Sequence, residues 1–403
     1  MKPRSVALRC SQGCGIALGA SIPVSVALDN VLIALLALCW LAAGGFREQW
    51  ARLRRNPVAG AALLLLGYLA LGLAWSADHG AGGHTLGKYA DLLLLPLLAL
   101  PFAAIRERRR GLAALAAALA VSLAVSVAAA LGGIPENALV PAAFDNPVAF
   151  KLSVTHGWLM ALGAFGCGVA ALHAGPGRRR WLLTALAALF VVDVLWWVQG
   201  RTGYAVAAVL LIYFCAAAGG RRGAAAAVLL TVLLGSGAYW SSATFQQRLD
   251  RAAAEFRAWR AGGAIPESSS IGQRLEFYRV SIAAVAERPL MGFGTGSFPK
   301  VYRERAGADA VATDNPHNDY LLLAVQGGIP AAALYLLLLG LQWRWAARLP
   351  DPGHQALARG LVLAMGVGSL FNSFLLDHTE GLLYAWLGGL LFAGLPPGRE
   401  RMS

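Results

Sequence analysis

The residues of this chain whose types and surroundings suit chemistry are few, and they are basic or imidazole. His317 stands in NPHNDY, where a polar stretch gives way to an apolar run, and an imidazole at such a boundary exchanges a proton near neutral pH. Its alternative role is an interfacial cap. Arg201 lies in VQGRTGY between two almost uninterrupted apolar runs. A guanidinium there serves as an anchor at a membrane boundary or, flanked by Gly200 and Gly203, as a clamp on an anion. Lys88 and Lys151 are isolated cations at the starts of other apolar runs, suited to anchoring or to phosphate. Arg274 is one of ten Lys/Arg between residues 241 and 316, where eight acidic residues accompany them. Most of that charge reads as a solvated helical face, and the functional reading is an anion site built from bidentate guanidinium bonds.

Metal chemistry finds no support in the spacing. Asp314 and Asp319 bracket His317, and Asp377, His378, Thr379 and Glu380 cluster further on, but neither group has ligand spacing, so no metal and no cofactor is expected. The absence of Walker A, GxSxG and HExxH sequences argues against an ATP-driven pump, a hydrolase of that serine type and a zinc protease.

The elements that must position these residues follow from composition. The chain has 403 residues, 58% hydrophobic and 14% charged, with a mean hydropathy of +0.58. Soluble proteins carry about 25% charged residues. Uncharged Leu/Ala/Val runs predict spans near 10–25, 27–44, 57–75, 88–104, 111–131, 152–173, 181–198, 203–219, 223–240, 318–342, 357–377 and 381–396. The fold class is therefore an all-α polytopic membrane protein of about twelve transmembrane helices with one helical external segment. Signal-peptide cleavage is not expected, because no clear cleavage site follows the weak first apolar stretch.

The formal charge of +13 suggests nucleic acid in a soluble protein. Here Arg47 to Arg55, Arg106 to Arg110, Arg178 to Arg180, Arg221 and Arg222, Arg344 and Arg348, together with Lys2, Arg399 and Arg401, mark alternate connections and the termini. That pattern places both termini in the cytoplasm and removes the need for a nucleic-acid partner. The chain divides into spans at 1–240, an external segment at 241–316, and spans with a tail at 317–403. Within the external segment, Phe245, Leu249, Ala252, Phe256 and Trp259 predict an amphipathic helix ended by Gly262 and Gly263. A second helix is predicted from Ser270, as N-cap, to Glu287, with Pro289 as the stop, and GFGTGSFP at 292–299 predicts a tight loop.

These stretches carry a resemblance. RTGY at 201–204, QRLEFYRVSIAAVAERPLMGFGTGSF at 273–298, and HN at 317–318 followed after nine residues by Gly328 are similar to the O-antigen ligase family, within the O-antigen ligase/polymerase group. Ala331 departs from the end of that family's histidine signature. The resemblance implies transfer of O-antigen from undecaprenyl pyrophosphate to a sugar hydroxyl of lipid A-core, at the periplasmic face of the bacterial inner membrane, among membrane lipids. It also implies a pyrophosphate grip by Arg201 and Arg274, without metal, and His317 as base. Expected substrate contacts are Lys88 and Lys151 on phosphate, with Gln199, Asn318 and Tyr320 beside them. The alternatives are a polymerase of the same group and a lipid-linked glycan transporter.

Overall fold

The computed structural model describes residues 3–134, 146–261, 269–307 and 310–396. Lys2, Gly262, Gly263, Arg399 and Arg401 lie outside the described residues. The α-helices run, in order, α1 Pro3–Ser21, α2 Val26–Ala43, α3 Phe46–Arg54, α4 Pro57–Leu71, α5 His79–Tyr89, α6 Leu94–Leu97, α7 Ile105–Ala130, α8 Ser153–His173, α9 Arg178–Val192, α10 Arg201–Ser241, α11 Ala243–Arg260, α12 Ser270–Glu287, α13 Phe298–Ala306, α14 Asp319–Ala346, α15 Pro352–Gly368 and α16 His378–Phe392. No strand occurs among the described residues. Among the described residues seven helices are long and apolar enough to cross a membrane: α2, α4 with its following turn, α7, α8, α9 with its following turn, α10 and α14.

Local chemistry sets the ends. Ser25, Asn56, Asp78, Ser242, Asn318 and Asp351 each accept a backbone N–H as N-caps, and Pro57 and Pro352 stand in first turns where a missing N–H costs nothing. The 41-residue α10 breaks at Gly220, whose φ of 58° is non-helical, so the expected spans 203–219 and 223–240 are two arms of one helical run. The expected span 88–104 is not one helix: α5 ends at Tyr89, a 3₁₀ turn follows at Ala90–Leu93, and α6 is a single turn. The expected span 357–377 ends nine residues early, at Gly368.

That early end has a cause. Ser369 donates to the buried Asp319 carboxylate at 2.6 Å, and the Leu375 N–H donates to it at 3.1 Å, which folds residues 369–377 over the start of α14. The core lies around α16, buried at every residue from Thr379 to Phe392. By contrast Leu28, Val31, Leu35 and Leu38 point outward at helical spacing along α2, an apolar stripe suited to lipid.

The glycine loop is a staple. Phe293 and Gly294 N–H groups donate to Val325 and Gln326 carbonyls, Thr295 donates through its hydroxyl to Leu69 O at 2.6 Å, and Gly296 N–H donates to Gln326 Oε1 at 2.7 Å. Gly294 has φ 92°, and a Cβ there would sit 2.2 Å from Ser76 Cα. These N–H groups are spent on α4 and α14, so the loop ties helices together and offers no phosphate cradle.

Candidate active site

Helix α12 carries Arg274 and contacts both Arg201 and the His317 backbone along one face. Ser270, Arg274 and Tyr278 recur every four residues and so share a face over about 12 Å of helix. At its start Ser270 Oγ accepts from Arg201 Nη2 at 2.9 Å. In the middle Arg274 Nη2 donates to Asn372 Oδ1 at 3.3 Å, and Asn372 in turn donates to Thr202 Oγ1 at 2.8 Å. At the far end the Tyr278 hydroxyl lies 3.2 Å from the His317 carbonyl and 2.9 Å from the Leu370 carbonyl. Arg201 and Arg274 lie within electrostatic reach of each other, and Arg274 within reach of His317.

Each member is positioned by a different element. Arg201 opens α10, which approaches α8 so closely that a Cβ on Gly203 would meet Gly157 Cα at 3.0 Å. Glycines at that crossing let the guanidinium stand against neighbouring backbone. Ser270 is free to receive Arg201 because the α12 N-cap is Ser269, whose side chain accepts from Gly272 N–H; the expected cap at Ser270 is off by one. Glu255 of α11 accepts from Ile271 N–H at 2.8 Å and lies within electrostatic reach of both arginines.

His317 sits at φ 54°, unusual for a residue with a Cβ. Its N–H donates to Asn315 Oδ1 at 2.9 Å, and its ring centroid is 6.2 Å from that of Phe277. Burial, and then the Arg274 charge, depress its pKa to about 4, so the ring is neutral and holds a lone pair at physiological pH. Burial also lowers the Arg274 pKa, with Arg201 adding repulsion. Two guanidiniums held near one another with few opposite charges make a site that an anion relieves.

The remaining expected contacts divide. Asn318 caps α14 and donates to Leu370 O at 3.1 Å, and the Tyr320 hydroxyl donates to Gly366 O at 2.9 Å, so both brace the site's walls. Gln199 Oε1 accepts from Arg248 Nε at 2.8 Å and lines a cavity of about 370 Å³ with Gln247, Arg248, Asp250 and Arg251. Arg248 and Arg251 lie within electrostatic reach of Arg201. Lys88 and Lys151 face carboxylates: Lys88 lies near Asp377, and Lys151 near Asp29 and Glu380. Acidic neighbours disfavour the phosphate role expected of both lysines.

Sequence reasoning passed over Asn372, Tyr278, Thr202 and Glu255. The SxxxRxxxY spacing from Ser270 to Tyr278 was a legible signal, whereas Asn372 comes from a turn about a hundred residues away. Also unforeseen is a buried clamp behind the site: His156 Nε2 lies 3.1 Å from Asp193 Oδ2, and Ser126 donates to the other Asp193 oxygen at 2.5 Å. Here the carboxylate stands between serine and imidazole, so this is no nucleophilic triad. Among the described residues no group of three or more His, Cys, Asp or Glu is arranged to hold a metal ion.

Comparison with known proteins meets this geometry at the same segment. No curated protein matches the chain in sequence. A chain from the solved structure described as "Structural coordination of polymerization and crosslinking by a peptidoglycan synthase complex" is similar over 84% of this chain and 96% of its own, at 19% identity and a TM-score of 0.48. Residues 186–336 match the O-antigen ligase family, and that stretch contains Arg201, the whole of α12 and His317. Over this segment, a little more than a third of its length, the chain is similar to the O-antigen ligase family.

Proposed function

We propose that this protein is an O-antigen ligase, transferring O-antigen from undecaprenyl pyrophosphate to a sugar hydroxyl of lipid A-core. One observation carries the reading: along α12, Ser270 holds the Arg201 guanidinium, Arg274 follows one turn on, and Tyr278 holds the His317 backbone, with the neutral His317 ring within electrostatic reach of Arg274. Twelve passes complete the topology in this proposal, with α1, the 90–104 segment, α15, α16 and both arms of α10 as spans. The arginine-rich connections then lie in the cytoplasm, and the row lies at the periplasmic face of the inner membrane. The chain divides functionally at 1–240, 241–316 and 317–403.

In the reaction, the acceptor O–H gives its proton to the His317 ring, and the oxygen attacks the anomeric carbon of the donor sugar. The bond from that carbon to the pyrophosphate oxygen breaks as the new bond forms, and undecaprenyl pyrophosphate leaves in the grip of Arg201 and Arg274. A single displacement inverts the anomeric centre. Bound pyrophosphate also offsets the Arg274 charge beside His317, so the ring binds protons more tightly once the donor is present. Gln199 and Arg248 line the approach beside Arg201.

Purified protein given undecaprenyl-linked polysaccharide and lipid A-core is expected to make full-length lipopolysaccharide, with inverted linkage. Chain growth from lipid-linked repeat units alone would instead identify the polymerase of the same group. Retention of configuration would overturn the single displacement.

A further inference from the structure

A second polar site lies where α2, α8 and α16 begin. Asp29, in the first turn of α2, is 0% exposed, Glu380 of α16 is 2% exposed, and Lys151, just before α8, is 9% exposed. His378 Nε2 lies 3.3 Å from Asp29 Oδ2, and both His378 and Asp91 are half-buried above it. Lys88 and Asp377 are exposed and within electrostatic reach of each other, and Asp377 is within reach of Glu380. The groups therefore grade from solvent to a buried floor.

The floor is incomplete. Lys151 Nζ and Asp29 Oδ1 have no hydrogen-bond partner among the described residues, although Lys151 lies within electrostatic reach of Asp29 and Glu380. Buried polar atoms ordinarily find partners. An anion would satisfy Lys151 but meet four carboxylates against two ammonium groups. A cation would suit Asp29 and leave Lys151 unpaired. A hydroxyl satisfies both, donating to the carboxylate and accepting from the ammonium. The site also adjoins the α12 row: residues 369–377 carry Asn372, which holds Arg274, and lead directly into His378 and Glu380.

We propose that this well binds a neutral, hydroxyl-bearing group, the sugar of the acceptor, and that Lys151 and Asp29 position it. The assignment of the ligand as acceptor rests on the glycosyl-transfer reading above. The full chain in lipid nanodiscs is titrated with a neutral, phosphate-free hexose oligosaccharide by saturation-transfer NMR, and separately with an undecaprenyl-diphosphate-linked donor. Acceptor KM is measured alongside. Lys151→Met and Asp29→Asn are expected to weaken oligosaccharide binding at least tenfold and raise acceptor KM in proportion, with donor affinity unchanged. Asp377→Asn, at the exposed end of the cluster, is expected to raise acceptor KM several-fold without disturbing folding. Wild-type protein that fails to bind the oligosaccharide overturns the proposal, as do variants that bind it like wild type, which would mean that the well holds only structural water. Loss of donor affinity in these variants with acceptor KM unchanged also overturns it. Wild-type protein that takes up the sugar but not the donor would refute the transfer reading and leave the well standing.

Discussion

In the proposed reaction His317 is the base, and its surroundings are unusual for that role. A half-buried imidazole beside a guanidinium has its pKa depressed to about 4, below the ordinary value of 6.5. It is therefore neutral at physiological pH, and in the proposed reaction the donor's negative charge raises its basicity. Replacing it with alanine is expected to lower transfer by roughly 10² to 10⁴ while leaving donor binding intact, as read by paired transfer and lipid-diphosphate binding assays. The sign of the Arg274 effect is also testable. Its positive charge disfavours imidazolium, so Arg274→Gln is expected to move the His317 titration to higher pH, as read by NMR of the labelled ring, whereas a fall would contradict the electrostatic account. Arg201→Lys is expected to lose transfer, because an ammonium cannot hold Ser270 and a phosphate oxygen with a planar fork.

Among the elements, α12 and the glycine loop do different work. The loop's glycines fit where backbones nearly touch, so Gly294→Ala forces a Cβ into Ser76 at a positive φ. A loss of about 2 kcal/mol or more in stability is expected, read by thermal unfolding in detergent, with phosphate affinity unaffected in the protein that remains folded. The helices themselves were largely legible: apolar periodicity and Pro289 placed α12 at 270–287, and the structure has Ser270–Glu287. Its cap was not, because adjacent serines offer equal caps locally and only the tertiary bond from Arg201 takes Ser270 out of that role. The 369–377 turn looks like helix in the sequence for a similar reason. Its sequence is apolar enough to continue a span, and the buried Asp319 carboxylate, supplied by another helix, is what ends it.

At the scale of the whole molecule, the charge distribution and the site form one pattern. In the proposed topology the arginine clusters mark one end of the helices, and the α12 row, the glycine loop and the Asp29 well lie at the other. The arginine clusters, Arg201 and His317 are visible in the sequence as single residues; the links through Ser270, Asn372 and Tyr278 are not, since they depend on contacts between distant segments. In a cysteine-free background, Glu304→Cys and Arg348→Cys are expected to label from opposite sides of intact inner membranes, the first from the periplasm, and labelling from one side would overturn the topology. The most direct measurement of the central claim is a structure of the protein with a nonhydrolysable undecaprenyl-diphosphate-linked sugar. The diphosphate is expected between Arg201 and Arg274, with the anomeric carbon on the His317 side of the row. A diphosphate held at the arginine-rich end, or in the Lys151 well, would contradict it.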